Sequence, residues 1–282
     1  MKKINVILAS LILFGLMTGC GGNTGGSSNN TNTSESAEVH GITMTVKAKD
    51  EVKFQLSVND NQEVSIDWGD GSPVETFRLK DPSIDYWVAH NYAQPAEYTI
   101  KITGENIRRF NNLLCILTTL DVSNNPALTD LYCSESQLKT LDVSKNTALE
   151  TLWCSDNQLT SLDVSKNTAL ESLNCNGNQL TTLDVSKNTA LRWVHCQNNQ
   201  LTSLTVGKGE KIDDIDCVHN KLSAAALNEL FSAVCVAVYE QEIEYMEFFD
   251  FKCVYIGDNP GTKTCDRTIA EKKDWRIANF GD

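Results

Sequence analysis

Between Ile107 and Leu222 the apolar residues recur in a pattern that fits neither a helix nor a plain strand. Written in rows of 21, the chain reads L-x-x-L-x-C-x-x-N-Q-L-T-x-L-D-V-S-K-N-T-A, most regularly in the rows at Leu128, Leu149, Leu170 and Leu191. The 3.6 period of an amphipathic helix and the alternation of a half-buried strand both fail over such a row. A repeat of this length marks one coil of a solenoid, whose leucines turn inward against the neighbouring coils. Leu152, Cys154, Leu159, Leu162 and Val164 are the predicted core of one coil. The row at Ile107 is a variant, with Asn112 at the cysteine place and Cys115 at the asparagine place, and the row at Ile212 degrades.

Ahead of the repeats, from about His40 to Gly104, the period changes to two. "ITMTV", "KFQLSV", "EVSIDW" and "EYTIKIT" alternate apolar and polar residues, as strands with one buried face do. Between two of them lies "DWGDGS", where Gly69 and Gly71 permit the positive φ of a tight turn. Asp67 and Asp70 are too few oxygens for a calcium shell and are expected to stabilise that turn.

Beyond Leu222 the repeat gives way to "SAAALNELFSAV", with Leu227, Leu230, Phe231 and Val234 at helical spacing and Ser223 placed to cap the helix. A solenoid end would otherwise present bare apolar side chains, so residues 223–282 are predicted to cap it. Val254-x-Ile256-x-x-Asn259 repeats the cysteine strand once more, and a short helix is expected near Asp266 to Lys272. The acidic, aromatic stretch from Glu240 to Phe251 has no assigned role.

The stretch before residue 40 reads as an address. Lys2 and Lys3 precede an apolar run from Ile4 to Met17, and Thr18-Gly19 precede Cys20. This resembles a bacterial lipoprotein signal, spanning residues 1–19, after which Cys20 becomes the lipidated first residue. The resemblance implies an exported protein held at the outer membrane or cell surface, with each acyl methylene contributing about 0.8 kcal/mol. Residues 20–39, rich in Gly, Ser, Asn and Thr, read as a flexible tether; such a chain spans roughly 20–25 Å.

Composition narrows the functional classes. A net charge of −13, with no basic run after residue 3, argues against a nucleic-acid partner. The histidines His40, His90, His195 and His219 are scattered, and no metal-ligand spacing or phosphate loop occurs, so no metal or cofactor is expected. Ten cysteines in an exported chain ordinarily suggest disulfides. Yet Cys133, Cys154, Cys175, Cys196 and Cys217 fall one per coil on parallel strands, a column that neither pairs off nor converges on a zinc ion. They are predicted to be buried free thiols, while Cys235, Cys253 and Cys265 remain open to disulfide pairing.

Positions that repeat in every coil maintain the coil, and positions that vary are free for other work. Outward residues alternate with the inward Leu and Cys of each cysteine strand. The central outward column reads Tyr132, Trp153, Asn174, His195, Asp216 and then Tyr255; the column before it reads Asp130, Thr151, Ser172, Trp193, Asp214. On the opposite side "LDVS" scarcely changes, with Asp121, Asp142, Asp163 and Asp184 balanced by Ser hydroxyls and by Lys145, Lys166 and Lys187. Exposed Trp and Tyr on a rigid strand are favoured contact residues, and the alternative is that they stack across strands and stiffen the sheet. Tyr132, Trp153, Asn174, Trp193, His195, Asp216 and Tyr255 are therefore the predicted ligand-binding residues. No hydroxyl or thiol nucleophile is expected outward beside both His195 and Asp216, so catalysis is not expected.

The row pattern resembles a leucine-rich repeat array over about 115 residues, closest to the cysteine-ladder internalins and to Bacteroides-type surface lipoproteins. "WGDGS" followed by "HNYAQPAEYTIKIT" resembles the polycystic-kidney-disease type of immunoglobulin-like sandwich, departing at Ala96 where Gly is usual. Together these imply a mostly β chain with α/β character: an immunoglobulin-like β-sandwich at 40–105, a leucine-rich repeat solenoid at 106–222 and a helical C-terminal cap at 223–282. They imply a monomeric, non-catalytic surface protein that binds a protein or glycan, or else a passive adhesive spacer.

Overall fold

The period-two segments form strands Gly41–Ala48 (β1), Glu51–Val58 (β2), Gln62–Asp67 (β3), Glu75–Leu79 (β4), Tyr86–Asn91 (β5) and Ala96–Thr103 (β6). The structure is a computed structural model that describes residues 40–278 apart from positions 60, 82, 114, 208–211, 235–251 and 274. The lipoprotein leader, Cys20, the tether, Cys235 and the 240–251 segment lie outside the described residues. β4 and β5 had no clear signal in sequence because each buries a single side chain, Leu79 and Val88.

β1 runs antiparallel to β6, β6 to β3 and β3 to β4, while β2 and β5 pair in a second sheet. Met44 and Ile66 of one sheet and Phe54 and Leu56 of the other are all fully buried between them. The Phe54 ring lies 5.8 Å from that of Trp68. Asp67 and Asp70 act as turn residues, accepting the amides of Gly69 and Ser72 at 3.0 and 2.9 Å. Gly69 sits at φ +74°, and a Cβ there would stand 2.3 Å from the Thr99 carbonyl oxygen, so this position admits only glycine. His90, one of the scattered histidines, packs 2.8 Å from Asp70 and stacks on Trp68 at 4.6 Å. Hydrogen bonds from Ser72 and then from His90 hold the Asp70 carboxyl well below the usual carboxylate range.

The variant row at Ile107 joins the sandwich to the coils. It contains Ile107–Asn112 (β7), antiparallel to β2, and Ile116–Asp121 (β8), antiparallel to β1. The row therefore serves both bodies, which explains its departures from the repeat. Asn112 and Cys115 face a sandwich strand instead of a preceding coil, and the Asn112 Nδ2 donates to the Cys115 carbonyl at 2.9 Å.

The following coils contribute Asp130–Tyr132 (β9), Thr151–Trp153 (β10), Ser172–Asn174 (β11), Thr182–Val185 (β12), Trp193–His195 (β13), Ser203–Val206 (β14) and Asp214–Asp216 (β15). Ala224–Ala233 (α1), Cys253–Tyr255 (β16), Thr268–Glu271 (α2) and Arg276–Ala278 (β17) complete the described chain. One ten-stranded sheet runs in the order β5-β2-β7-β9-β10-β11-β13-β15-β16-β17. Ser223 accepts the Ala226 amide at the start of α1, which buries Leu227, Leu230 and Phe231.

Each column of the repeat has a physical task. Leu149, Leu152, Cys154, Leu159 and Val164 are fully buried, with Leu162 at 8% exposure. Asn157 donates to the carbonyls of Cys154 in its own coil and Cys133 in the previous one, and accepts the Leu138 amide at 3.0 Å. Asn178, Asn199, Asn220 and Asn259 do the same one coil later each time. Ser136, at the head of the column, accepts only the Leu117 amide and the Asn112 Nδ2. The ladder cysteines are buried and unpaired, and burial pushes the Cys133 and Cys175 thiols up to about 12. Among the described residues Cys253 and Cys265 are also free thiols, and Cys235, the third cysteine left open to pairing, lies outside them.

Two columns escaped the sequence reading. Asn125, in "SNNP", and Asn146, Asn167 and Asn188, in "SKNT", are buried: the last three donate to the Val and Asn carbonyls of the preceding coil, and Asn125 to the Ile107 carbonyl. Glu135, Asp156, Gly177, Asn198, His219 and Asp258 occupy a bend where φ lies between +52° and +62°. The Asp142, Asp163 and Asp184 carboxyls are held below their ordinary range chiefly by the amide and hydroxyl of the Ser two residues on, with the Lys column a lesser influence.

Candidate functional site

All seven predicted site residues lie on the outward face of the ten-stranded sheet. Parallel pairing sets Tyr132 opposite Trp153, Trp153 opposite Asn174, Asn174 opposite His195, His195 opposite Asp216 and Asp216 opposite Tyr255. The adjacent column runs Asp130, Thr151, Ser172, Trp193, Asp214, and continues to Cys253 and Arg276. Trp153 and Trp193 are 43% and 40% exposed, the largest apolar areas presented by the coils. Successive strands are ~4.8 Å apart, so each column forms a rigid row of side chains.

Local contacts fix these side chains. The Tyr132 and Trp153 rings meet edge to face with centroids 5.2 Å apart, and the Trp153 Nε1 donates to the Ser172 hydroxyl at 3.1 Å. Arg109 lies over Tyr132 at 5.8 Å, and Arg192 covers Trp193 at 4.9 Å. The indoles are thus both braced and open: Trp153 by the Tyr132 ring and Trp193 by the guanidinium over it, each keeping about two-fifths of its surface exposed.

The acids of the face are matched by cations. Arg109 sits between Asp85 at 3.0 Å and Asp130 at 3.4 Å. Burial works against the Arg109 charge, but Asp130 and Asp85 more than restore it, so its pKa stands above the ordinary value. Arg192 contacts Asp213 at 2.7 Å. His195 Nε2 is 3.2 Å from Asp214 Oδ1, a hydrogen bond that raises the His195 pKa against its partial burial. Burial raises the Asp216 carboxyl.

A thiol that the sequence did not place on this face stands there, though not beside both His195 and Asp216. Cys253 projects outward opposite Asp214, which in turn bonds His195, and the residue opposite Asp216 is Tyr255. The sequence missed it because β16 lies after a long break in the repeat. Burial raises the Cys253 thiol pKa, so it rests protonated rather than as a thiolate nucleophile. Among the described residues no cluster of His, Cys, Asp or Glu is arranged to hold a metal ion.

The face also extends where sequence did not place it. β7 sets Asn111 opposite Tyr132 on one side and Gln55 of β2 on the other, and Gln55 is opposite Trp87 of β5. Asn111 Nδ2 donates to Gln55 Oε1 at 2.9 Å, and Trp87 is 54% exposed. The only sequence signal for this was an unassigned Trp in "YWVAHN", with no repeat to give its direction.

Residues 147–188 match the family model for leucine-rich repeats. No curated protein matches the chain. Among solved structures, the functional domain of InlJ from Listeria monocytogenes, described as including a cysteine ladder, is 29% identical with a TM-score of 0.35, covering 55% of this chain and 40% of that one. A leucine-rich repeat protein of Leptospira interrogans is 20% identical with a TM-score of 0.43, covering 56% of this chain and 38% of that one. The internalin InlF of Listeria monocytogenes is 16% identical with a TM-score of 0.37, covering 57% and 50%. The chain thus spans about two-fifths of the length of the first two structures. With the matched segment flanked on both sides by coils that repeat the same inward leucines, cysteines and bridging asparagines, the solenoid is a leucine-rich repeat array.

Proposed function

We propose that this is a surface-anchored, non-catalytic binding protein that holds its ligand on the varied, aromatic face of the solenoid. The observation that carries this is the exposure of Trp153 and Trp193 on a rigid registered sheet, while the "LDVS" side of the coils is monotonous. Leucine-rich repeat arrays commonly serve as interaction scaffolds, which supports the same reading. A lipid on Cys20 would tether the protein to a membrane, and the N-terminal sandwich, of polycystic-kidney-disease type by its motifs, would hold the solenoid clear of it. Residues 223–282 close the end of the array.

A second reading has an observation in its favour. The edge-to-face packing of Tyr132 on Trp153 is what a sheet-stiffening stripe would show in a passive spacer.

The two are separated by capture of surface proteins and glycans on the immobilised chain. Trp153→Ala and Trp193→Ala should each weaken the captured ligand by about 1–3 kcal/mol, while Asp142→Ala and Asp163→Ala on the monotonous face leave it unchanged. Loss of melting temperature with every interaction intact would establish the spacer. Separately, Cys20→Ala should release the protein from washed membranes, and persistence in the membrane fraction would remove the anchor.

A further inference from the structure

We infer that the binding face runs across the junction onto the sandwich and takes a neutral oligosaccharide, laid perpendicular to the strands from Trp87 to Trp153. The inference rests on the binding role proposed for the solenoid face and names its ligand class and its extent.

Continuity comes first. Trp87, Gln55, Asn111, Tyr132 and Trp153 are successive cross-strand partners on β5, β2, β7, β9 and β10. Four strand spacings of ~4.8 Å place the two tryptophans about 19 Å apart along one row. The row is joined by hydrogen-bonded strands and by the Asn111–Gln55 bond, so both ends hold a fixed separation. One strand spacing is close to the advance of one sugar ring along a linear glycan.

The chemistry of the row selects the ligand. Its ends are indole faces, which carry negative quadrupole density suited to the C–H face of a sugar ring. Between them lies an amide pair with capacity left over. Asn111 Nδ2 occupies Gln55 Oε1, leaving the Gln55 Nε2 as donor and the Asn111 Oδ1 as acceptor. A hydroxyl, both donor and acceptor, satisfies that pair. Among the described residues, the outward strand positions of this row and of the column through Arg109, Asp130 and Thr151 carry no Leu, Ile, Val, Met or Phe, and the exposed aliphatics Leu113 and Ile84 lie outside the paired positions.

Charge points the same way. Arg109 is already engaged by Asp85 and Asp130, Arg192 by Asp213, and His195 by Asp214. A charged ligand would have to break pairs that are partly buried, whereas a neutral one leaves them intact. The net charge of −13 also repels acidic polysaccharides at a distance.

The test is titration calorimetry of the full chain with neutral linear hexasaccharides of gluco, manno, galacto and xylo configuration, with polygalacturonate as the acidic comparison. At least one hexasaccharide should bind saturably and polygalacturonate should not. Trp87→Ala and Trp153→Ala should each weaken that binding about tenfold or more, with unchanged circular dichroism, because truncating exposed rings opens no core cavity. If Trp153→Ala weakens binding and Trp87→Ala does not, the extension onto the sandwich fails while the solenoid site stands. If no neutral sugar binds but a captured protein depends on Trp153, the glycan assignment fails alone. If neither substitution alters any ligand, both readings fall.

Discussion

Asn167 donates from Nδ2 to the carbonyl of Val143, 3.0 Å away and one coil back, and to the carbonyl of Asn146 at 2.8 Å. Its side chain is fully buried. The amide therefore stitches one coil to the preceding one on the side where "LDVS" forms too few backbone bonds for a continuous sheet. Asn167→Leu would take the inter-coil donor from two carbonyls that keep only their local backbone amides, Asn146 N–H on Val143 and Leu149 N–H on Asn146, at a cost of about 1–3 kcal/mol for the two lost bonds. Lys166→Ala, next to it but in solvent, should change the urea midpoint very little. Equal midpoints for the two variants would refute the stitching role.

The left-handed bend makes a second test. Gly177, at φ +62°, is the glycine of a column otherwise filled by Glu135, Asp156, Asn198, His219 and Asp258. A Cβ at Gly177 would stand 2.3 Å from the Asp156 Oδ1 of the previous coil. Gly177→Ala should cost about 1–2 kcal/mol through the backbone conformation, plus whatever the displaced carboxylate adds. In the Asp156→Gly background the same change should cost less, because the clash partner is gone and only the backbone conformation remains. Identical costs in both backgrounds, read from thermal melts, would show that the coils do not communicate through this bend.

What the sequence disclosed follows from these same columns. Repetition made the inward Leu and Cys legible, because a one-dimensional array imposes the same packing on every coil. It also made Asn157 and its successors legible, since their place beside the cysteine strand is a bend. Asn167 was not, because "SKNT" is polar throughout and reads as exposed surface; only the fold shows that its third residue turns inward. Trp87 was unreadable for a different reason. It belongs to a strand that buries one side chain and has no repeated partner, so nothing in the sequence gives the direction of its ring. Cys253 was hidden by the break between β15 and β16. The binding columns themselves were legible as the places where repetition stops.

The buried thiols predict how stability depends on pH. Cys133 and Cys175 are raised to about 12, and Cys154, Cys196 and Cys217 are also raised by burial. An acid whose charged form is excluded from the fold contributes stability that is complete below its unfolded pKa. That contribution is lost as pH rises through the window up to the folded value. Each ladder thiol should therefore withdraw about 1.4 kcal/mol per pH unit above roughly pH 9. Replacing Cys133 and Cys175 by Ala should flatten the alkaline limb of the stability curve, although it lowers the plateau at neutral pH. Thiol labelling of the native protein at pH 8 should spare the ladder, and Cys175→Asp should be severely destabilising because it buries an unpaired carboxylate. Ready labelling of Cys154 or Cys175 without denaturant would contradict the ladder's burial.

The contact between Tyr132 and Trp153 decides how far the stripe serves stability and how far it serves binding. Their rings meet edge to face at 5.2 Å, a geometry that contributes about 0.5–1.5 kcal/mol beyond simple burial. In a double-mutant cycle on folding, Tyr132→Ala and Trp153→Ala should couple by that amount, since each removes the other's partner. Trp193→Ala should be additive with Tyr132→Ala, because Trp193 is covered by Arg192 and lies on the other column. In a cycle on ligand affinity the expectation differs. Tyr132 is about half-buried behind Arg109, so its direct share should be smaller than that of Trp153, and its loss should act by releasing the Trp153 ring. Coupling in stability with no effect of Trp153→Ala on any ligand assigns the pair to the scaffold. Coupling in both assigns Tyr132 to positioning the ring and Trp153 to contact.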